Sequence, residues 1–193
     1  MRTIALAMAV AALAAPAFAQ QPRAPRETVK ATVGGKGVSV EYGRPSLKGR
    51  SFDELIKQLP ADRMWRAGVD QVTTLTTEAA MSVGGKTVPA GKYSVYIHAP
   101  ETGDYSFVLN KDLGVALKEI FPAAPLANEP WPHIDDYSKS IGDKEVARVA
   151  MKKVEVKAPA DLFTIGAAPS GKGTTLAFTW GDRSWAVDLQ PGK

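Results

Sequence analysis

Basic side chains that could bind an anion are concentrated in a short stretch that begins at Arg44. Its cationic side chains include Arg44, Lys48, Arg50, Arg63 and Arg66. Arginine forms paired, planar hydrogen bonds with carboxylate and phosphate groups, so the cluster predicts an anion-binding face. The alternative is that these arginines bind backbone carbonyls and nearby carboxylates and thereby hold loops in place. The sequence leaves both interpretations open.

An aromatic residue stands directly beside one of these cations. Trp65 precedes Arg66, and an aromatic wall next to a cation is typical of clefts that bind sugars. The pair therefore predicts a site for a small anionic or sugar-like ligand. The alternative is that Trp65 is a core residue that fills one end of the fold.

Acid–base chemistry would need Asp70 together with His98 or His133, because a carboxylate and an imidazole can exchange protons with a substrate. A metal site would use His133, Asp135 and Asp136, but their spacing matches no established metal motif. Neither a nucleophile elbow nor a phosphate loop is present in the sequence. We therefore predict no metal and no cofactor, and the pattern contains no coherent catalytic set.

The elements that must position these residues are short strands. Apolar and polar residues alternate with the period of a half-buried strand, and glycine or proline separates the segments. The predicted segments are 28–33, 38–42, 72–77, 81–88 (a hairpin), 93–97, 105–109, 149–156, 161–165, 176–180 and 185–189. A capping box at Ser51 and Glu54 predicts a helix over 52–58. The pattern predicts an all-β fold, an antiparallel two-sheet β-sandwich with one or two short helices.

Two parts of the chain interrupt this regular pattern. The parity of the apolar residues changes between Met151 and Val154, which predicts a β-bulge near Lys152 and Lys153. Residues 110–143 are rich in proline and glycine, and they predict a surface or functional loop with a short helix over 113–121.

The N-terminus has the layout of a secretory signal peptide. Arg2 precedes an apolar run that ends at Ala17-Phe18-Ala19, which predicts cleavage after Ala19. The apolar run is shorter than the ~20 residues of a membrane-spanning helix, so no transmembrane segment is expected after cleavage. We expect a signal peptide over 1–19, a flexible lead over 20–27 and one domain over 28–193. The expected location is periplasmic or secreted.

Composition narrows the possible partners. The chain has 193 residues, no cysteine and a formal net charge of +4, and its length suits one domain. Without cysteine there is no disulfide, no thiolate catalysis and no thioether lipid anchor. The weak charge and the export signal argue against a nucleic-acid partner. The expected partner is an unknown small molecule or an envelope protein.

Several motifs, in order, resemble a known family. The matching segments are Val-Ser-Val-Glu-Tyr-Gly-Arg-Pro-Ser-Leu-Lys-Gly-Arg (38–50), Met-Trp-Arg-Ala-Gly (64–68), Gly-Lys-Thr-Val-Pro-Ala-Gly-Lys-Tyr-Ser (85–94), Asn-Lys-Asp (110–112), Tyr137 and Arg148-Val149. The chain resembles the domain of unknown function 2911 family, which is common among bacterial exported proteins. The resemblance covers Val38 to Ile165 and implies no activity. It adds Asn110 to the candidates, and it places Gln71 where the family usually has a glutamate.

We therefore predict a binding or structural module of the cell envelope, with a site for a small anionic or sugar-like ligand. The candidate ligand-binding residues are Arg44, Arg50, Trp65, Arg66, Asp70 and Asn110. We expect the first four to meet at one end of the sandwich. One alternative is a hydrolase that acts on an envelope or polymeric substrate, with Asp70 and a histidine as acid and base. Another is a module that binds a second envelope protein through a sheet edge.

Overall fold

The alternating segments form two antiparallel sheets that pack face to face in the computed structural model of the protein, which describes residues 23–123, 128–133 and 136–192. This confirms the predicted all-β sandwich. The expected signal peptide, and the expected lead up to residue 22, lie outside the described residues. In the described part of the chain, no helix is long and apolar enough to cross a membrane.

Strands supply most of the regular structure. In chain order they are β1 Arg26–Val33, β2 Lys36–Gly43, β3 Met64–Trp65, β4 Thr74–Thr77, β5 Met81–Val83, β6 Lys86–Val88, β7 Gly91–His98, β8 Ser106–Asn110, β9 Val115–Ala116, β10 Pro130–Trp131, β11 Glu145–Ala150, β12 Lys152–Lys153, β13 Ala160–Ser170, β14 Gly173–Gly181 and β15 Arg183–Pro191. The larger sheet has the order β1-β2-β4-β7-β8-β11, with β3 paired to β7. The second sheet has the order β13-β14-β15-β5-β6, with β12 paired to β15.

Helices are short and lie in the connections. They are α1 Phe52–Ile56, α2 Leu117–Ile120 and α3 Tyr137–Ser140, followed by a 3₁₀ turn over Gly142–Lys144. The predicted capping box is present, since the Ser51 hydroxyl accepts from Glu54 N and the Glu54 carboxylate accepts from Ser51 N. The helix ends at Ile56, two residues before its predicted end.

The predicted hairpins form because their turns suit the twist of the strands. Gly34 and Gly35 both have positive φ, which a two-residue hairpin turn requires, and they join β1 to β2. In the hairpin of β14 and β15, Phe178 lies opposite Trp185. β1 begins at Arg26 and is therefore two residues longer than predicted, so the last two residues of the expected flexible lead pair with β2.

One prediction about the strands is wrong. The change of parity at Met151 is not a bulge, because β11 pairs with β8 in the larger sheet and β12 pairs with β15 in the second sheet. The chain therefore passes from one sheet to the other at this point. The inward-facing side changes with the sheet, and a bulge would leave the same pattern in the sequence. The irregularity in β11 lies between Glu145 and Ala147 instead.

The main core lies between the two sheets. Its largest fully buried side chains include Tyr42, Leu75, Ile97, Phe107, Phe163 and Phe178. A second, smaller cluster consists of Met64, Tyr96, Val108, Tyr137 and Ile141. Because side chains alternate along a strand, Tyr96 and Val108 lie on the face of the larger sheet that is turned away from the main core. The segment after β8, including α3, covers that outer face.

Candidate functional site

Trp65 is a core residue. Only 8% of it is exposed, and its ring stacks on Trp180 at 5.5 Å between centroids with 14° between the planes. A second contact joins it edge-on to Phe163 at 4.9 Å. Stacked and edge-on pairs of this kind stabilise the packing beyond area burial. The tryptophan therefore fills the sandwich, and it does not form an open aromatic wall.

Arg44 holds two parts of the sandwich together. Its guanidinium donates to the Phe163 carbonyl at 3.1 Å and to the Thr164 hydroxyl at 2.8 Å, and it pairs with Glu27 at 2.9 Å. These contacts join the end of β2 to β13. At least three of its five N–H donors are used within the protein, so Arg44 is part of the scaffold that holds these strands together.

Arg50 and Asp70 line a cleft of about 460 Å³ together with Arg44, which we call the Arg44 cleft. Arg50 donates to the Leu47 carbonyl within its own turn at 3.1 Å and is otherwise exposed. The structure therefore brings together Arg44, Arg50 and Asp70, three of the six predicted residues. It does not bring them to Trp65 and Arg66, which line a different cavity.

Arg66 lies in a cavity of about 310 Å³, which we call the Arg66 cavity. The lining residues are Gln58, Leu59, Pro60, Met64, Trp65, Arg66 and His133. The Arg66 guanidinium carbon lies 6.0 Å from the centroid of the Trp131 ring, within the range of a cation–π contact. Burial lowers the pKa of Arg66, while the charge of Asp70 opposes that shift. At neutral pH the guanidinium stays charged.

The backbone that carries Arg66 is strained. Arg63, Ala67 and Asp70 have φ values of 56°, 48° and 62°, in the left-handed region that non-glycine residues rarely adopt. The buried Thr73 hydroxyl donates to the Ala67 carbonyl at 2.9 Å and helps to fix this shape. Strain of this kind persists only where the surroundings enforce it, and it occurs often at ligand sites.

Close packing also brings the two sequence motifs together. A Cβ atom on Gly43 would lie 2.1 Å from the Val69 carbonyl oxygen, so only glycine permits this contact. A Cβ atom on Gly68 would lie 2.6 Å from Thr73 Oγ1 and 3.0 Å from the Gly43 carbonyl oxygen. The two motifs are therefore neighbours in space, although their arginines point into separate cavities.

Three buried polar atoms near Arg66 have no hydrogen-bond partner among the described residues. They are the Tyr96 hydroxyl, Trp131 Nε1 and His133 Nε2, the last of which lies 3.3 Å from Asp112 Oδ1 without forming a hydrogen bond to it. Tyr96 is only 2% exposed, and burial raises the pKa of its phenol well above the ordinary value, so it remains a protonated donor. Buried polar groups are nearly always paired, so unpaired groups in one place require an explanation.

Asp112 organises the loop next to these atoms. Its carboxylate accepts from Lys144 Nζ at 2.7 Å and from Gly114 N at 2.9 Å, and it lies 3.3 Å from His133 Nε2. Burial by itself would raise the pKa of Asp112, but the bonds from Lys144 and Gly114 and the nearby His133 together lower it. The residue is therefore an anion that holds the start of the loop through Lys144 and Gly114, with His133 beside it.

Asn110 has a structural role. It is fully buried, its amide nitrogen donates to the Tyr137 hydroxyl at 2.9 Å and the Ile141 carbonyl at 2.7 Å, and its amide oxygen accepts from Asp112 N at 2.8 Å. All of these contacts are with the segment that covers the larger sheet. Asn110 anchors that segment and makes no contact with either cavity.

The predicted acid–base pair does not form. Among the described residues, Asp70 makes no hydrogen bond or ion pair with His98 or His133, and it lines the Arg44 cleft, whereas His133 lines the Arg66 cavity. Burial lowers the pKa of His98, and the charge of Arg148 adds to that shift. Asp70 and His133 therefore line different cavities, and His98 lines neither of them.

The residues considered for a metal do not form a site in the described part of the chain. No group of three or more acidic or histidine side chains lies close enough together there to hold an ion. Asp136 pairs with Lys139 instead, at 3.2 Å, and Asp135 lies outside the described residues.

Three residues near Arg66 were not predicted from the sequence to belong to the site, namely Tyr96, Trp131 and Asp112. Tyr96 falls at an outward position of its strand, where a large aromatic residue is a sign that something covers the sheet. Trp131 stands between two prolines and before His133 in the irregular segment. These two signals were available, but only the structure shows that they meet at Arg66.

A larger cavity of about 640 Å³ lies between β1 and β13, the edge strands of the two sheets. It is lined mainly by small residues, with Lys30 and Lys172 as the charged side chains. None of the predicted ligand-binding residues lines it, so we do not regard it as the functional site.

Comparison with known families gives one match over most of the chain. Residues 24–189 match a family model described as protein of unknown function (DUF2911). Comparison with the curated proteins and with the solved structures gives no match. The family match confirms the resemblance that the sequence motifs indicate.

Proposed function

This chain belongs to the DUF2911 family, and from the geometry of its site we propose that it is an exported binding module of the cell envelope. The ligand is a small anion that binds at Arg66. Two parts of the proposal come from the sequence, namely the signal peptide and the Trp-Arg motif. The position of Arg66 in a cavity comes from the structure.

The observation that carries the proposal is the position of the Arg66 charge at a cavity. Arg66 lines the cavity, and burial disfavours its charged form, while the charge of Asp70 acts against this effect. A cation that has lost part of its water is stabilised by an anion beside it. An anionic ligand in the cavity supplies such a charge together with hydrogen-bond acceptors.

The neighbouring donors support an acceptor-rich ligand. The Tyr96 hydroxyl and Trp131 Nε1 both carry a hydrogen that has no acceptor in the described part of the chain. Arg66 joins them to the cavity, because it lines the cavity and also contacts the Trp131 ring. Donors that lack acceptors favour a ligand that brings oxygen atoms.

The hydrolase alternative has less support. Asp70 makes no hydrogen bond or ion pair with either histidine among the described residues, and Asp70 and His133 line different cavities. We therefore keep the binding module as the proposed function.

A ligand screen with matched variants tests the proposal. We expect thermal unfolding and titration calorimetry to show binding of carboxylates or phosphates, and a ligand at a hundredfold excess over its Kd stabilises by about 2.7 kcal/mol. Arg66→Met removes the binding, while Arg50→Met, at an exposed arginine outside the Arg66 cavity, leaves it unchanged. Equal binding by both variants contradicts the assignment to Arg66. A screen in which no small molecule binds contradicts the binding function and favours a protein partner.

The export part of the proposal has its own test. We expect the protein recovered from the periplasm or the medium to begin at Gln20 when its N-terminus is determined by mass spectrometry. Recovery of an intact N-terminus from the cytoplasm contradicts export, and it leaves the ligand test unaffected.

A further inference from the structure

The Arg66 cavity has two chemically different parts. Leu59, Pro60, Met64 and Trp65 form an apolar part, and Gln58, Arg66 and His133 form a polar part. A simple inorganic anion would use only the polar part and would leave the apolar surface in contact with water. A ligand that fills both parts removes that surface from water.

The charges around the polar part favour a single negative charge on the ligand. Arg66 brings one positive charge, and Asp70 acts on it from a distance. The carboxylate of Asp112 lies beside His133 and is paired with Lys144. Among the described residues, the positive charges of Arg66 and Lys144 are nearly balanced by the carboxylates of Asp70 and Asp112. This leaves little net attraction for a dianion, because both carboxylates repel it.

We propose that the Arg66 cavity takes a small monocarboxylate with a hydrocarbon tail. The carboxylate binds Arg66, and the tail lies against Leu59, Pro60 and Met64. This inference rests on the proposed function, because it needs an anion site at Arg66. The volume of about 310 Å³ equals about ten water molecules in the liquid, so the ligand has about ten non-hydrogen atoms or fewer.

A chain-length series tests the tail. We expect titration of the purified protein with acetate, propionate, butyrate and hexanoate to give about fourfold tighter binding for each added methylene until the cavity is full. Inorganic phosphate binds more weakly than butyrate. The primary amides of the same acids bind at least tenfold more weakly than the acids, because they carry no charge to pair with Arg66.

Two variants separate the tail from the charge. Leu59→Ala lowers the gain per methylene but leaves acetate binding unchanged, and Leu113→Ala, at a 38% exposed leucine outside the cavity, changes neither. Arg66→Met weakens every carboxylate by the same factor. Circular dichroism and thermal unfolding confirm that each variant is folded before its affinity is compared.

Different results would contradict the hydrocarbon tail and the anion site. If acetate, hexanoate and phosphate bind equally well and their binding depends on Arg66, the proposed hydrocarbon tail is contradicted and the anion site at Arg66 is supported. If phosphate binds far more tightly than any carboxylate, the preference for a single charge is wrong. If no anion binds in a manner that depends on Arg66, both are wrong.

Discussion

Asp112 and His133 lie together at the Arg66 cavity, with 3.3 Å between the carboxylate Oδ1 and the imidazole Nε2. The same carboxylate pairs with Lys144 at 2.7 Å and accepts from Gly114 N. One side chain therefore joins the segment after β8 to the 3₁₀ turn over Gly142–Lys144 and lies beside His133, two residues after β10. We expect the arrangement of this loop to depend on the Asp112 anion.

Replacing Asp112 by asparagine tests that dependence through stability. The pKa of Asp112 lies below its ordinary value of 3.8, so its contribution to folding is fully present above that value. It is lost as the pH falls through the lowered pKa. We expect Asp112→Asn to lose about 1–3 kcal/mol at pH 7 and progressively less toward about pH 2. Urea unfolding at both pH values measures the difference.

The control for Asp112 is an exposed ion pair of similar type. Asp136 pairs with Lys139, and both side chains are largely exposed, so Asp136→Asn changes the free energy of unfolding by less than about 0.5 kcal/mol. Equal losses for the two variants, or a loss at Asp112 that does not depend on pH, would show that the buried carboxylate does not organise the loop.

We expect the two arginines of the first motif, Arg44 and Arg50, to contribute differently to the free energy of unfolding. Arg44 makes contacts that join β2 to β13, including 2.8 Å to the Thr164 hydroxyl. Within the described part of the chain, the Arg50 side chain forms a hydrogen bond only to the Leu47 carbonyl of its own turn. We expect Arg44→Ala to lower the free energy of unfolding by about 1–3 kcal/mol, and Arg50→Ala by less than about 0.5 kcal/mol. Thermal unfolding measures both. If Arg44→Ala is folded but binds the ligand more weakly, Arg44 belongs to the ligand-binding site.

Local patterns of the sequence were enough to predict the hairpins. β7 and β8 alternate clearly and lie next to each other in the chain, and the structure pairs Val95 with Leu109 in the predicted hairpin. Their partners are set by a short connection, so alternation and turn residues suffice. The capping box at Ser51 was equally visible, because its two residues lie three positions apart.

Contacts between distant residues explain what the sequence could not predict. Arg44 and its partner Thr164 are 120 positions apart, and the pairing that made this arginine part of the scaffold has no local signal. The passage between sheets at Met151 looks like a bulge in the sequence, because both reverse the parity. The meeting of Arg66, Tyr96 and Trp131 depends on how the segment after β8 folds back over the larger sheet.

Gly43 provides a test of the contact between the two motifs. A methyl group there would lie 2.1 Å from the Val69 carbonyl oxygen, so the strained turn that carries Arg66 must move. We expect Gly43→Ala to lower the free energy of unfolding by about 3 kcal/mol or more. Gly166→Ala is the control, because no atom lies within 4 Å of its Cβ, and it leaves stability unchanged or raises it by up to about 1 kcal/mol. Chemical unfolding that ranks the two variants equally would contradict the close contact.

The contacts of Gln71 explain why glutamine suits this chain at a position where the family resemblance led us to expect a glutamate. Its amide nitrogen donates to Glu129 Oε2 at 2.7 Å, and its amide oxygen accepts from Arg26 Nη1 at 3.1 Å. Gln71→Glu would place two carboxylates at hydrogen-bond distance. We expect a loss of about 1–2 kcal/mol at pH 7 from their repulsion.

The pH dependence and a charge swap separate this repulsion from a general loss of packing. Two carboxylates this close favour a shared proton in the folded state, so the loss from Gln71→Glu is small near pH 4 and grows as the pH rises toward 7. The double variant Gln71→Glu, Glu129→Gln restores one amide and one carboxylate, and it recovers most of the stability at pH 7. Urea unfolding at both pH values measures these differences. A loss that is independent of pH and is not recovered by the swap would show that the amide of Gln71 is needed for its shape, and that the charge of Glu129 does not determine the residue at position 71.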